Sequence, residues 1–503
     1  MPRKLYLETF GCQMNVLDSE LVLGQLRAQG YESVEQRDEA DVIIYNTCSV
    51  REHAEQKVWS RLGELRERKR QEPGLVIGVI GCMAERDGTN IFKRHPHVDV
   101  LCGPGELDKL AQLVHNAVVT APHSNGKRHR QVALMGSNVR RSGTLEAAED
   151  TLELLDLSRS ISAEDVAQAY VRITRGCNKF CTYCVVPYTR GPEVHRPPGN
   201  IVEEVKRLTD AGAREVTLLG QTINHYHYKH GDGRTTSFAE LLYQIHESAP
   251  DLPRLRFVTS YPRDFGDDAL AAMRDCPRIC RYLHAPAQSG SNRILKLMNR
   301  GYTVEEYRDL VDRAREMMPD VCIASDFIVG FPTETDGDFE STRQLVRSCR
   351  FKNSFIFKYS PRPGTLAIQR FEDNVPEDVK RRRNNVLLAD QQDVCDRNNR
   401  EMIGKTVQVL VEGVSKLINK PAYPRAGSVE LGWEKRRLNP DSNRAPVQLT
   451  GRTAGDQVVA FDGNPSLKGQ IIEIEIIDAR NLTLFGKLSN PASRSRLATA
   501  AGS

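Results

Sequence analysis

The sequence predicts an α/β protein of three parts: a parallel sheet with helices on its faces, a partial (βα)6 barrel, and a small β-barrel. Three observations carry this. Strand-like and helix-like segments alternate over residues 1–120 and again over 169–395. Short strands with Gly, Asp and Asn turns replace that alternation over 396–488. Residues 121–168 between the two alternating regions are polar and weakly periodic. A chain of 503 residues has room for about three domains at roughly 150 residues each.

In the first part, "RKLYLETFG" reads as a strand and "DSELVLGQLRAQG" as an amphipathic helix ending at a glycine. "ADVIIYNTC" is a buried strand, and the long charged helix "REHAEQKVWSRLGELRERKRQ" follows it. "GLVIGVIGC" is a third strand. Each strand ends at a cysteine: Cys12, Cys48 and Cys82, separated by 36 and 34 residues, about one strand–helix unit each. Ligands of open parallel sheets bind beyond the carboxyl ends of the strands. The three thiols are therefore expected to converge at one edge. The competing reading is three buried structural thiols, but a core has no need of a thiol at strand end after strand end. The stretch 121–168, with "APHSNGKRHRQ" and "MGSNVRRSGTLEAAED", reads as a linker holding a short acidic amphipathic segment.

Six strands are expected in the second part: "YVRITRG", "EVTLLGQ", "RLRFVTS", "RYLHAPAQ", "CIASDFIVG" and "SFIFKYS". Helical patterns such as "NIVEEVKRLTDAG" and "TVEEYRDLVDRAREM" separate them. Polar, glycine-rich turns follow most strands, and the loops at that end build the active site of such barrels. Residues 371–395 read as helical and basic, with "KRRR" at 380–383. The last part is expected to hold "GKTVQVLVEGV", "APVQLTGRT", "DQVVAF", "GQIIEIEIIDA" and "LTLFGKL" as strands. Residues 416–445 read as a long loop within it, and 489–503 as a disordered tail.

Hydrophobic content of 39% and charged content of 27% fit a soluble globular chain. No run of eighteen apolar residues exists, so no membrane crossing is expected. The opening "MPRKLYLETFGCQMN" lacks the apolar stretch of a secretory signal, so cytoplasmic residence is expected. Twelve cysteines in a reducing compartment point to metal or redox chemistry rather than disulfides. The formal charge of +4 is too small to imply a nucleic-acid partner. From Arg397 to Ser503, however, sixteen Lys/Arg stand against ten Asp/Glu, a local +6.

The stretch "TRGCNKFCTYCVVPYTRG" holds Cys177, Cys181 and Cys184 in one loop after the first barrel strand. Three thiolates that close can hold three irons of a [4Fe–4S] cube and leave the fourth open for a small chelating molecule. A zinc site completed by His195 or a distant cysteine is the alternative on spacing alone.

That CxxxCxxC loop on a partial barrel resembles the radical S-adenosylmethionine (SAM) enzymes. "GCQMNVLDSE", "YNTCSVRE", "GVIGCMAE", "RGCNKFCTYCVVPYTRG", "HAPAQSGSNRILKLMNRGYT", "SDFIVGFPTET" and "KYSPRPGT" resemble, in order, the methylthiotransferases among them. The resemblance spans roughly residues 4–487 and is closest to the MiaB-type branch. It implies a flavodoxin-like first domain, a radical SAM barrel and a TRAM domain that binds RNA. It implies methylthiolation at C2 of N6-isopentenyladenosine beside the tRNA anticodon. Two [4Fe–4S] clusters are implied, one on Cys177, Cys181 and Cys184 that binds SAM, and one on Cys12, Cys48 and Cys82 that delivers sulfur. SAM would serve as radical source and as methyl donor. An electron donor such as flavodoxin or ferredoxin and a monomeric state are expected.

The resemblance also implies contacts to SAM from Tyr183, Gly220, Gln221, Gln288, Ile328 and Gly330, and the basic run at 380–383 offers Arg381, Arg382 and Arg383 as contacts to RNA. The sequence departs from the family at Thr333, at Tyr261-Pro262 and at His195, which bears on substrate contacts more than on the reaction. Threonylcarbamoyladenosine in tRNA or an aspartate of a ribosomal protein is the alternative substrate. A non-catalytic RNA-binding protein with structural zinc is the reading from a different class.

Overall fold

The computed structural model describes residues 2–49, 52–120, 130–136, 152–157, 159, 167–415 and 447–489. The expected long loop at 416–445 and nearly all of the expected tail lie outside them.

The first domain is a six-stranded sheet of β1 (Arg3–Thr9), β2 (Tyr31–Ser33), β3 (Val42–Thr47), β4 (Val76–Gly81), β5 (Val100–Cys102) and β6 (Gln131–Ala133). Its spatial order is β2-β1-β3-β4-β5-β6, with every pairing parallel. This is the flavodoxin-like order with one added edge strand. The apolar runs of β3 and β4 split by residue parity. Val42, Ile44, Val76 and Ile80 pack with helix α1 (Gln13–Ala28) and the helix Leu110–Thr120. Ile43, Tyr45, Ile77 and Val79 pack with helix α2 (Glu52–Gln71) on the opposite face. A strand covered on both faces must be apolar throughout, hence the unbroken runs.

Two segments of the expected linker are structured. Gln131–Ala133 adds the edge strand β6 beside β5. Residues 152–157 are helical, with Leu152 and Leu155 in the core of the first domain.

All six expected barrel strands are present: Gln168–Arg172, Glu215–Leu219, Arg254–Phe257, Tyr282–His284, Cys322–Val329 and Asn353–Lys358. They form two three-stranded sheets, with strands one to three in one and four to six in the other, all pairs parallel. A bridge between Leu255 and Ile279 joins the halves. Helices outside the strands start at Ser237, Thr303 and Thr335, each closing a reciprocal capping box with Glu240, Glu306 or Asp338.

The third domain is a closed barrel of Thr406–Val414, Val447–Thr453, Val458–Gly463, Ile471–Arg480 and Thr483–Leu488, filled by Val409, Val411, Leu449, Phe461, Ile474 and Leu484. It docks on the amino-terminal end of the (βα)6 barrel. There Arg254 donates to the carbonyls of Arg452 (2.9 Å) and Gln408 (2.8 Å). Arg256 donates to the carbonyl of Thr453 at 3.2 Å, and Lys352 pairs with Asp456 at 2.7 Å. The opposite, carboxyl-terminal end faces the first domain.

Candidate active site between two cysteine sets

Cys12, Cys48 and Cys82 stand at the carboxyl ends of β1, β3 and β4, on both sides of the point where strand order reverses. Cys12 is the residue before α1, and Cys82 opens helix α3 (Cys82–Asp87). Two glycines allow this crowding. Gly11 has φ +131°, and a Cβ there would lie 2.3 Å from Cβ of Cys48. Gly81 has φ +90°, and a Cβ would lie 2.5 Å from the carbonyl of Thr47. No other residue fits both the backbone and the space. Buried amides fix the strand ends: Asn15 donates to Oδ1 of Asn46 at 3.1 Å, and Asn46 donates to the carbonyl of Asn15 at 2.8 Å.

The thiols interact. A hydrogen bond from Cys48, helped by the charge of Arg190, draws the Cys12 thiol down to about 6 against its burial. Burial pushes Cys82 up, and Arg190 opposes that. Cys12 is thus suited to be the thiolate that iron requires.

The second set lies in the loop after the first barrel strand. Cys177 meets Oγ1 of Thr222 at 3.5 Å. Burial, then the neighbouring Cys181, pushes Cys184 up to about 12. Arg300, which the sequence did not single out, donates to Sγ of Cys181 and to Oη of Tyr183, both at 3.4 Å. Its remaining nitrogens donate to Oη of Tyr302 (2.9 Å) and the carbonyl of Pro286 (3.0 Å). Its guanidinium also lies over the ring of Tyr261, 4.8 Å from the centroid, which gives the departure at Tyr261 a role.

The loop of the second set reaches the first, where Arg190 acts on Cys82 and Cys12. The short helix Val186–Thr189 begins two residues after Cys184 and packs on α3. Arg190, at its end, donates to Asp18 Oδ2 at 2.8 Å and Asn15 Oδ1 at 3.2 Å. Arg172 of the first barrel strand donates to the other oxygen of Asp18 at 2.8 Å. Asp156, from the helical segment 152–157, takes Arg172 at 2.6 Å and also Arg175. Burial raises its pKa, but the charges of Arg172, Arg175 and Arg196 outweigh that and hold it below the ordinary carboxylate range. Beside this junction a cavity of about 580 Å³ opens between the first domain and the loop after strand six, lined by Glu55, Trp59, Arg86, Arg94 and Arg362 among others.

The other expected cofactor residues gather at the same end of the barrel. Tyr183 and Ile328 join one apolar cluster with Met298, Phe331 and Tyr359. Gln288 has φ +69°, and its backbone bonds both Asp326 (2.8 Å) and Ile328 (3.0 Å). Such strain in a non-glycine residue is characteristic of functional loops. Gly220 and Gln221 follow strand two. Gly330 donates to Oε2 of Glu334 at 2.7 Å.

The expected RNA-contacting trio divides. Arg381 and Arg382 face solvent. Arg383 is buried, paired with Glu334 and Asp336 at 2.7 Å each and stacked on Phe339; presenting it to RNA would strand the buried Glu334 carboxylate. His195 is engaged by Thr174 at 3.2 Å and by the edge of Tyr226. Of the remaining cysteines, Cys102, Cys276, Cys280, Cys349 and Cys395 are buried and Cys322 is half-buried.

The donor chemistry fits an iron–sulfur cluster at each set: three free thiols with no disulfide between them, one already favouring the thiolate in the first set, and mutual repulsion as anions in the second that bound iron would relieve. Among the described residues, no three His, Cys, Asp or Glu side chains converge as ligands of a single ion. Thiolates of a cubane bind different irons and surround a volume rather than a point.

Comparison with known proteins agrees with this architecture. A model described as "Uncharacterized protein family UPF0004" matches residues 4–103, and one for the radical SAM superfamily matches residues 171–346. A radical SAM domain implies SAM and a [4Fe–4S] cluster. A protein of Rhodopirellula baltica named tRNA-2-methylthio-N(6)-dimethylallyladenosine synthase is 44% identical over 97% of this chain and 96% of its own. Proteins of the same name from Porphyromonas gingivalis and Neisseria gonorrhoeae are 42% and 40% identical, over 97% of this chain and 95% and 99% of theirs. The chain is a radical SAM enzyme that belongs to the tRNA-2-methylthio-N(6)-dimethylallyladenosine synthase family.

Proposed function

We propose that this enzyme places a methylthio group on C2 of N6-dimethylallyladenosine in tRNA. The observation that carries the reading is the apposition of two three-thiol sets across Val186–Thr189, with Arg190 running from the loop of one to the thiols of the other. Cys177, Cys181 and Cys184 would hold the cluster that binds SAM, and Cys12, Cys48 and Cys82 a second one that delivers sulfur. When bound, these clusters supply the electron that cleaves SAM and the sulfur that is transferred, with a second SAM as methyl donor.

The protein's own part is positioning and shielding. Tyr183 and Ile328 offer apolar surface to the SAM adenine, and Gly220, Gln221, Gln288 and Gly330 offer polar groups of the loops around it. Arg300 bears a positive charge against Cys181 and the Tyr183 hydroxyl, where it offsets the negative charge of the thiolates. Arg190 does the same at the other set. The Asp18 pairs keep the two sets apposed and water out of the junction. Arg381 and Arg382, with the third domain, supply contacts to the phosphate backbone.

The test is an anaerobic reaction of the reconstituted enzyme with tRNA carrying N6-dimethylallyladenosine, SAM and a reductant. Nucleoside mass spectrometry should find the 2-methylthio derivative, and none with tRNA carrying unmodified adenosine or N6-threonylcarbamoyladenosine. Product on the threonylcarbamoyl substrate alone would overturn the assignment.

A further inference from the structure

Strand six of the central barrel, Asn353–Lys358, is the open edge of its sheet. Its side chains alternate between two faces. Ile356 packs against the barrel's hydrophobic core, and its carbonyl accepts from Asn384 of the helix Glu377–Arg400 at 3.2 Å. Ser354, on the same side, is buried. Phe355 and Phe357 point the other way, toward the interior of the open barrel. Among the described residues they are the two exposed phenylalanines, 44% and 40% accessible.

The register shows what surrounds them. Phe355 lies beside Asp326, and Phe357 beside Ile328. Ile328 packs in the cluster that contains Tyr183, next to Cys184. The edge of His284 meets Phe355 at 6.4 Å between centroids, and Nε2 of His284 lies 3.2 Å from Oδ1 of Asp326. The inner face therefore presents an apolar shelf that is continuous with the proposed SAM site and bordered on one side by a carboxylate. Barrel interiors are ordinarily filled by side chains; here two aromatic rings are left for something else to cover.

We infer that Phe355 and Phe357 receive the N6-dimethylallyl group of the substrate adenosine and set the enzyme's preference for it. The inference deepens the function proposed above and rests on it. The shelf adjoins the proposed SAM site, where the reacting base must lie. A short branched hydrocarbon covers two aromatic rings without leaving a polar group unpaired. A polar N6 substituent that ends in a carboxylate would lose its hydration on those rings and meet Asp326 as a like charge, so the same surface rejects it.

The test is binding rather than turnover. Full-length, cluster-loaded protein is titrated anaerobically, by fluorescence anisotropy, with an anticodon stem-loop RNA carrying adenosine or N6-dimethylallyladenosine at the target position. The wild-type protein should bind the dimethylallyl RNA about tenfold or more tightly, the range for burial of a few methylene-sized groups. Phe355→Ser with Phe357→Ser should bring that ratio close to one and leave binding of the unmodified RNA unchanged. Phe355→Leu with Phe357→Leu should retain most of the preference, which separates lost apolar surface from damage to the strand. A wild-type ratio near one, or an intact ratio in the double serine protein, would overturn the inference. Wild-type turnover in the same samples keeps the two ideas apart. Methylthiolated product with an intact ratio in the serine protein defeats only the shelf. Loss of the ratio in the serine protein, with no product from the wild type, defeats only the reaction.

Discussion

Replacing Asp18 by Asn keeps the shape of the side chain and removes the charge shared by two arginines of the barrel domain. Asp18 is buried, 2.8 Å from Arg172 and 2.8 Å from Arg190. Breaking a buried ion pair by removing one partner costs about 3–5 kcal/mol, because the other charge stays buried. The structure places this case at the low end. Arg172 keeps Asp156 at 2.6 Å, and Arg190 keeps the neutral Asn15 at 3.2 Å. A cost of about 3 kcal/mol corresponds to about a hundredfold in the opening equilibrium of the junction. Amide hydrogen exchange should report it: protection should fall about a hundredfold in α1 and in Gln168–Arg172, and stay unchanged in the third domain. With the sets no longer held apposed, methylthiolation should fall more than SAM cleavage. Unchanged protection at the junction, or equal loss of both activities, would refute the claim that Asp18 couples the two halves.

Three more outcomes follow. Changing Cys177, Cys181 and Cys184 together to Ala should halve an iron content of about eight per chain, measured by metal analysis; wild-type iron would remove the triplet from the ligand set. Arg381→Ala with Arg382→Ala should weaken tRNA binding and lower the salt slope by about one to two in log–log form, whereas Arg383→Ala should lower the melting temperature. Asp156 has its pKa depressed in the fold, so its stabilisation is present above the ordinary carboxylate range and is lost as pH falls through and below it. Acid titration of junction stability should therefore flatten below about pH 4 in Asp156→Asn, whose stability is already reduced at neutral pH.

The sequence pattern located the six barrel strands, the five strands of the third domain and β1, β3 and β4 because each has its own local period. It did not single out β2, β5 and β6, each three residues long, too short to show one. The thiols were legible because they stand at strand ends at a repeating interval. Asp18, Arg172, Arg190 and Arg300 were not, because their roles come from partners remote in sequence: Arg172 and Arg190 lie 154 and 172 residues from Asp18. Arg383 shows the converse, a basic residue whose buried surroundings the sequence did not reveal. A run of four basic residues on a helix cannot share one face, and the fold turns Lys380 and Arg383 inward onto carboxylates while Arg381 and Arg382 face water. The segment 152–157 looked like linker because its acidic residues answer arginines of the next domain rather than neighbours in sequence.

The central claim is a division of labour: the barrel triplet serves SAM cleavage, and the thiols at the sheet edge serve sulfur delivery. Cys48→Ala tests it most directly, since Ala offers iron no ligand and leaves the triplet untouched. The purified variant is given SAM, reductant and tRNA carrying N6-dimethylallyladenosine. 5′-Deoxyadenosine is measured by chromatography and 2-methylthio nucleoside by mass spectrometry from the same reaction. The account predicts deoxyadenosine without methylthiolated nucleoside; normal methylthio product from Cys48→Ala would contradict it.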